Sequence, residues 1–243
     1  MKQKPKPKPK SKSKSSKGST IWKWVKRTVL ILFLAQLFYI VILKWVNPPV
    51  TLTQLGSLFR GEGLKRDYVG YDDMSYYMKL AVIASEDQIF PDHSGFDWKS
   101  IDKAIKYNEK KPGRVRGAST ISQQVAKNVF LWQGRSWIRK GLEVYFTKMI
   151  EWVWGKRRIL EMYLNVAEMG KGIYGVEAAA QAYYKKSADD LTRRQAAMIA
   201  SSLPNPKKYT VRPLSGYVRA KSGWVQRQMR NLERDPDVQR VIK

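Results

Sequence analysis

The chain reads as a mainly α protein with one N-terminal transmembrane helix, and three observations carry that reading. Residues 29–43, VLILFLAQLFYIVIL, are apolar except for Gln36. From Tyr76 onward apolar residues recur at the three- and four-residue spacing of amphipathic helices. Alternating strand-like runs are few, and no internal repeat is present. With 243 residues there is room for one domain of ordinary size and an appendage.

Residues 1–20, MKQKPKPKPKSKSKSSKGST, are low-complexity Lys/Pro/Ser and hold too little apolar surface to fold, which predicts a disordered basic tail. The apolar run that follows is shorter than the roughly 20 residues a bilayer core needs. Trp22, Trp24, Lys26 and Arg27 flank it on one side and Lys44 and Trp45 on the other. These flanks extend the span to residues 21–46, because Trp favours the interface and Lys snorkels to it. A cleaved signal peptide lacks support: no A-x-A-like site follows, and Asn47-Pro48-Pro49 stands there instead. A buried core helix would carry neither the charges nor the aromatics at its ends. Residues 1–44 hold twelve Lys/Arg and no acid. The positive-inside rule therefore places the tail in the cytoplasm and residues 47–243 outside, as a single-pass protein.

In the second part, Ile101–Ile105 opens one amphipathic helix and residues 118–130 form another. Residues 136–154 make a long Trp-rich helix, residues 157–166 a fourth, and Tyr174–Tyr184 an Ala-rich fifth. Thr192 and Gln195 have capping-box spacing ahead of AAMIASSL. Pro204-Asn205-Pro206 marks a turn, and the basic, Gly-containing stretch 110–117 reads as a mobile loop.

Composition narrows the chemistry. The net charge is +26, of which +14 remains after residue 44, so the folded part favours an anionic partner. With no cysteine, disulfides and thiol catalysis are excluded, and with one histidine a metal site would need mainly oxygen ligands. Nine Trp suit a membrane boundary or a groove.

The chemistry-bearing residues concentrate between Ala84 and Glu143. Glu86 follows the apolar run Leu80–Ala84 and precedes Phe90, which sets it at the end of a buried helix. Apolar surroundings raise a carboxylate's pKa and suit it to general base work, although a capping or salt-bridged glutamate is the competing reading. Asp87 could orient a cation or cap a turn, and His93, in a Pro-Asp-His-Ser-Gly turn, reads as structural. On a helix over 118–130, Ile121, Val125 and Val129 share the core face, while Thr120, Gln123, Gln124 and Lys127 share a second. That face suits sugar hydroxyls or phosphate oxygens, or is simply solvated. Glu143 lies four residues after Arg139 and three after Lys140, the spacing of a surface ion pair worth about 0.5 kcal/mol. Lys127, Arg135, Arg139 and Lys140 fall between the two glutamates in sequence, a pattern that points to acid/base chemistry on a negatively charged substrate.

Five segments in order resemble the motifs of the peptidoglycan glycosyltransferase family, specifically its monofunctional biosynthetic transglycosylases. They are EDQIFPDHSGFD (86–97), GASTISQQVAKN (117–128), RKGLE (139–143), KRRILEMYLN (156–165) and GIYGVEAAAQAYY (172–184). The match covers residues 68–210 within an extracytoplasmic domain of 47–243. The resemblance implies a lysozyme-like helical glycosyltransferase domain in the bacterial cytoplasmic (inner) membrane. It implies that lipid II is added to a growing glycan chain on polyprenyl diphosphate, with inversion at the anomeric carbon. Glu86 matches the general base. Glu143 matches the second glutamate, which organises cations or a divalent metal (Mg or Mn) at the donor, without a cofactor being required. Lys127, Arg135, Arg139 and Lys140 match the cations that hold the pyrophosphate. Asp87, Ser119, Thr120, Gln123, Gln124 and Asn128 match residues that support the base or line the groove. Arg157 and Arg158 depart from the pattern, standing where acidic residues are common. Apolar and aromatic residues of 64–80 (Leu64, Tyr68, Tyr76, Tyr77, Met78) are expected to dip into the bilayer. Cell-wall synthesis or division proteins are the expected protein partners.

The S-x-x-K spacing at Ser11–Lys14 and the K-S-G at Lys221–Gly223 are chance echoes of transpeptidase motifs, so a monofunctional, β-lactam-insensitive enzyme is expected. Two other functions compete. A lytic transglycosylase would also use a glutamate in a helical cleft, but needs no pyrophosphate clamp. A membrane-tethered nucleic-acid or scaffold protein would suit the pI of about 10.2, yet the cations outside the tail cluster beside carboxylates instead of forming a basic stripe.

Overall fold

A computed structural model describes residues 17–111, 117–134 and 136–243. Residues 1–16 of the tail, five residues of the basic loop at 110–117, and the candidate Arg135 lie outside the described residues. The chain divides into two compact units, one ending at Tyr39 and the other running from Ile40 to Lys243.

The first unit is built on helix α1 (Lys17–Ile42). Its apolar part, Ile21–Ile42, has 22 residues and a mean hydropathy of 1.9. At 1.5 Å per residue that is about 33 Å, enough to cross a bilayer core of about 30 Å. The helix begins at Lys17, inside the segment expected to be disordered. Proline ends at position 9 in the tail, and a nucleated helix extends at little cost where no proline blocks it.

Not all of the apolar run is available to a membrane. Ile40 and Leu43 are fully buried in the core of the second unit. There Trp154 Nε1 donates to the Ile40 carbonyl at 2.8 Å. The Arg158 guanidinium donates to Leu43 O at 3.1 and 2.9 Å, to Val46 O at 2.9 Å and to Asn47 Oδ1 at 3.0 Å. Arg158 also pairs with Glu161 at 2.9 Å. Its departure from the family pattern therefore has a use: the guanidinium satisfies carbonyls that lose their partners where the helix ends.

The second unit comprises α2 (Leu52–Phe59), α3 (Tyr76–Glu86), α4 (Trp98–Lys110), α5 (Ile121–Phe130), α6 (Trp137–Val153), α7 (Lys156–Val166), α8 (Val176–Tyr184), α9 (Arg193–Ser202), α10 (Gly216–Leu232) and α11 (Pro236–Ile242). Helix α3 is its axis. Residues Met78–Ala84 are all buried, with the Lys79 ammonium 4.0 Å from the ring centre of Tyr71. It packs on α9 and α10, where Ala196, Ala197 and Ala200 permit close approach. Helix α5 packs on α6 and α7 and buries Ile121, Val125 and Val129, the stripe its spacing predicts. The expected capping box of Thr192 with Gln195 closes on α9, and Thr120 with Gln123 forms a second one on α5 that was not anticipated from the sequence.

Three short strands, β1 (Lys65–Arg66), β2 (Glu168–Gly170) and β3 (Ile173–Tyr174), form a sheet in the order β1-β3-β2. Lys65 lies opposite Ile173 in a parallel pair, and β2 runs antiparallel to β3 with an irregularity between Glu168 and Gly170. Strands this short leave no room for an alternating pattern, so periodicity could not reveal them.

Of the residues of 64–80 expected to dip into a bilayer, Leu64 is half-buried and the other four are engaged by the protein itself. Met78 is fully buried, the Tyr76 hydroxyl accepts from Gln239 Nε2 at 2.8 Å, and Tyr77 packs against the core with the Arg193 guanidinium 5.0 Å from its ring centre. Tyr68 exchanges hydrogen bonds with Gln54. Large exposed apolar side chains stand elsewhere, including Phe59, Trp137, Ile138 and Trp152. Composition marks a residue as apolar without saying whether protein or lipid covers it.

Candidate active site

Glu86 is the last residue of α3, with Asp87 as its C-cap. Its Oε2 accepts from Gln124 Nε2 on α5 at 3.0 Å. The Ser85 hydroxyl lies 3.3 Å from Oε1 and 3.2 Å from the Ala200 carbonyl, and its one proton serves one of them at a time. Burial pushes the Glu86 carboxyl above the usual carboxylate range, with Asp87 adding to the rise. Gln124, Lys221 and Ser85 oppose it without cancelling it. A part-exposed carboxylate of raised pKa is a competent general base.

Asp87 is buried. Its Oδ2 accepts the backbone N–H of Ile121 at 3.0 Å and is 3.0 Å from His93 Nε2. His93 Nδ1 accepts from the Gly95 N–H at 3.0 Å, which fixes the tautomer with the proton on Nε2, toward Asp87. Asp87 thus ties the first motif to the start of α5, and His93 is hydrogen-bonded between Asp87 and Gly95. Gly95 has φ +93°, and a Cβ there would lie 2.7 Å from Thr147 Cγ2, so glycine alone fits beside α6. Behind this turn, Glu151 accepts from Ser122 Oγ at 2.5 Å and from Lys156 Nζ at 2.7 Å. Lys156 also donates to the His93 carbonyl at 2.5 Å.

The polar face expected on α5 divides in two. Thr120 and Gln123 are buried in the capping box: Thr120 N–H donates to Gln123 Oε1 at 3.0 Å, and the Thr120 hydroxyl donates to Gly95 O at 2.7 Å. The cap takes up the Thr120 hydroxyl and Gln123 Oε1. Gln124, Lys127 and Asn128 line a cleft of about 350 Å³ together with Tyr163, Arg60, Glu168 and Lys207. Ser119 is exposed just before the α5 cap.

Glu143 is not the surface ion pair its spacing suggests. It is 3% exposed. Arg139 Nη1 donates to Oε2 at 2.7 Å, and Lys140 Nζ contacts Oε1. Arg139 Nε is buried and unpartnered among the described residues. The Lys127 ammonium makes no hydrogen bond or ion pair among the described residues, and burial lowers its pKa. Glu143 and Glu86 both pull that pKa back up, while Arg139 and Lys140 depress it further, so the ammonium lies in the field of both glutamates. A divalent ion at Glu143 does not fit this donor set: both carboxylate oxygens already face cations. No cluster of three or more His, Asp or Glu suited to a metal occurs among the described residues.

Sequence reasoning missed Tyr163 and Lys221. Tyr163 carried no charge signal. Lys221 lies on α10, beyond the motifs, yet its charge acts on Glu86, and burial lowers its pKa.

The helical domain thus sets a carboxylate of raised pKa at the end of α3 and lines its cleft with the cations Arg60, Lys127 and Lys207, an arrangement that suits an anionic ligand. The transglycosylase family model matches residues 52–230, and the chain belongs to that family. It is 57% identical over 173 residues to the biosynthetic peptidoglycan transglycosylase of Shigella boydii serotype 4, covering 71% of this chain and 72% of that protein. The Escherichia coli protein of the same name matches with the same identity and coverage.

Proposed function

We propose that this enzyme polymerises lipid II into peptidoglycan glycan strands, with Glu86 as the base and the cations around Glu143 as the pyrophosphate site. Lys127 carries the reading: a desolvated ammonium without an ion-pair partner among the described residues, held in the field of both glutamates. Such a cation costs stability unless an anion comes to meet it.

Glu86 takes the proton of the acceptor's 4-hydroxyl as that oxygen attacks the donor's anomeric carbon. The bond to the polyprenyl diphosphate breaks, and its electron pair leaves with the diphosphate. Lys127 and Lys140 meet the charge that develops there, and the buried Arg139 Nε offers a further N–H. Glu143 holds Arg139 and Lys140 in place, which gives it a positioning part in place of proton transfer. A single displacement inverts the anomeric centre.

The apolar helix from Ile21 to Tyr39 anchors the enzyme in the membrane that holds both polyprenyl-linked substrates. The basic tail lies in the cytoplasm, the catalytic unit lies outside the membrane, and other cell-wall synthesis or division proteins are its partners. The test is polymerisation of labelled lipid II by the full-length protein and by Glu86→Gln. The variant should bind lipid II, stay folded and lose turnover by at least about a hundredfold. Near-normal turnover, or cleavage of finished glycan by the wild type, would overturn the reading.

A further inference from the structure

We infer that Tyr163 is a positioning residue for the base: its hydroxyl fixes the rotation of the Gln124 amide so that the amide's NH₂ group faces Glu86. The inference rests on the proposed role of Glu86. Tyr163 is 1% exposed, on the face of α7 that packs against α5. Its hydroxyl lies 3.2 Å from Gln124 Oε1, and Gln124 Nε2 lies 3.0 Å from Glu86 Oε2. An ionised carboxylate can only accept, so Gln124 must turn its NH₂ toward Glu86 and its carbonyl toward Tyr163. That carbonyl needs a donor, and the tyrosine supplies it. Burial holds the phenol well above its ordinary pKa, so it keeps its proton at working pH.

The chain of three groups has two consistent states. With Tyr163 donating, Gln124 donates to Glu86 and favours the carboxylate. Without Tyr163, the amide can turn its carbonyl to Glu86, where it accepts from the protonated acid and favours the form that cannot act as a base. Helix α7 is itself held in register: the Val69 N–H donates to Asn165 Oδ1 at 3.1 Å, and Asn165 Nδ2 donates to Val69 O at 3.0 Å. The other charged or titratable groups facing Glu86 are Asp87 beside it, Lys127 from α5, and Lys221 and Tyr217 from α10. None of these touches the Gln124 carbonyl within hydrogen-bonding distance among the described residues.

The experiment measures kcat/KM for labelled lipid II against pH with the full-length enzyme. Tyr163→Phe removes one oxygen and leaves the packing. It should move the acidic limb upward by about half a unit to one unit and lower turnover near neutral pH several-fold, with KM little changed. Gln124→Ala should move the same limb upward. In the Gln124→Ala background, Tyr163→Phe should have no further effect, because it acts through the missing amide. An unmoved limb in a folded Tyr163→Phe enzyme, or losses that simply add in the double variant, overturns the inference. If Tyr163→Phe does not fold, an unmoved limb in Gln124→Ala overturns it, since Tyr163 then has nothing to act through. Glu86→Gln run in parallel separates the two claims. A dead Glu86→Gln beside an unmoved limb defeats this inference alone, and an active Glu86→Gln defeats the base assignment as well.

Discussion

Glu86 and Lys127 are each held in the less comfortable charge state for a buried group, and this gives both a measurable stability signature. The folded pKa of Glu86 is raised, so the folded state binds more protons than the unfolded state over the window between the two pKa values. Its contribution to stability is complete below the unfolded value and is lost as pH rises through the folded value. Glu86→Gln should therefore raise the melting temperature at pH 8 by about 2–4 °C per kcal/mol recovered, and leave it unchanged near pH 4. A lower melting temperature at pH 8 would count against a desolvated base. Lys127 has a lowered folded pKa, so its ammonium is a cost at neutral pH. Lys127→Met keeps the stem and removes the charge. Differential scanning calorimetry should show equal or greater stability, while turnover falls about a hundredfold or more. A less stable variant that still polymerises would show that the lysine is structural.

At the scale of elements, the junction of α3 and α5 is what turns two motifs into one site. Asp87 binds the first free N–H of α5 and the imidazole of the preceding turn, so it sets where Gln124 and Lys127 stand relative to Glu86. Asp87→Ala leaves the Ile121 N–H and His93 without their acceptor, at a cost of about 1–3 kcal/mol. Hydrogen exchange should speed up at Ile121 and through the first turn of α5, with little change in α9. Protection at Ile121 equal to wild type would remove Asp87 from this role. The α5 stripe of Ile121, Val125 and Val129, the capping box of α9 and the helical course of α6 and α7 were legible because each is a local pattern. That Thr120 and Gln123 serve the cap while Gln124 meets Glu86 was not legible, because all four polar residues share one face of the helical wheel. Which of them meets a partner depends on α3 and α7, which come from elsewhere in the chain.

At the scale of the whole molecule, the boundary between anchor and enzyme falls inside the apolar run. Ile40 and Leu43 are buried by the catalytic unit, and their carbonyls take the Trp154 and Arg158 donors. A protein starting at Ile40 should keep its fold, whereas one starting at Asn47 loses two buried side chains worth about 1.5–3 kcal/mol each and leaves buried donors unpaired. Thermal melts of the two truncated forms in detergent should differ by about 10 °C or more. Equal melting temperatures would place Ile40 and Leu43 with the anchor.

The sequence by itself determined the helical class, the presence of an anchor, the order of the helices and the candidate residues, because spacing, capping and composition are local properties of a chain. Tertiary structure decided the rest. It buried Glu143 against Arg139 and Lys140 where spacing allowed a surface pair, packed Tyr76, Tyr77 and Met78 on the core, and recruited Tyr163 and Lys221 to the neighbourhood of Glu86. The physical reason is the same in each case: desolvation and hydrogen-bond partnership depend on what other segments bring near, and those distances exist only once the chain has folded.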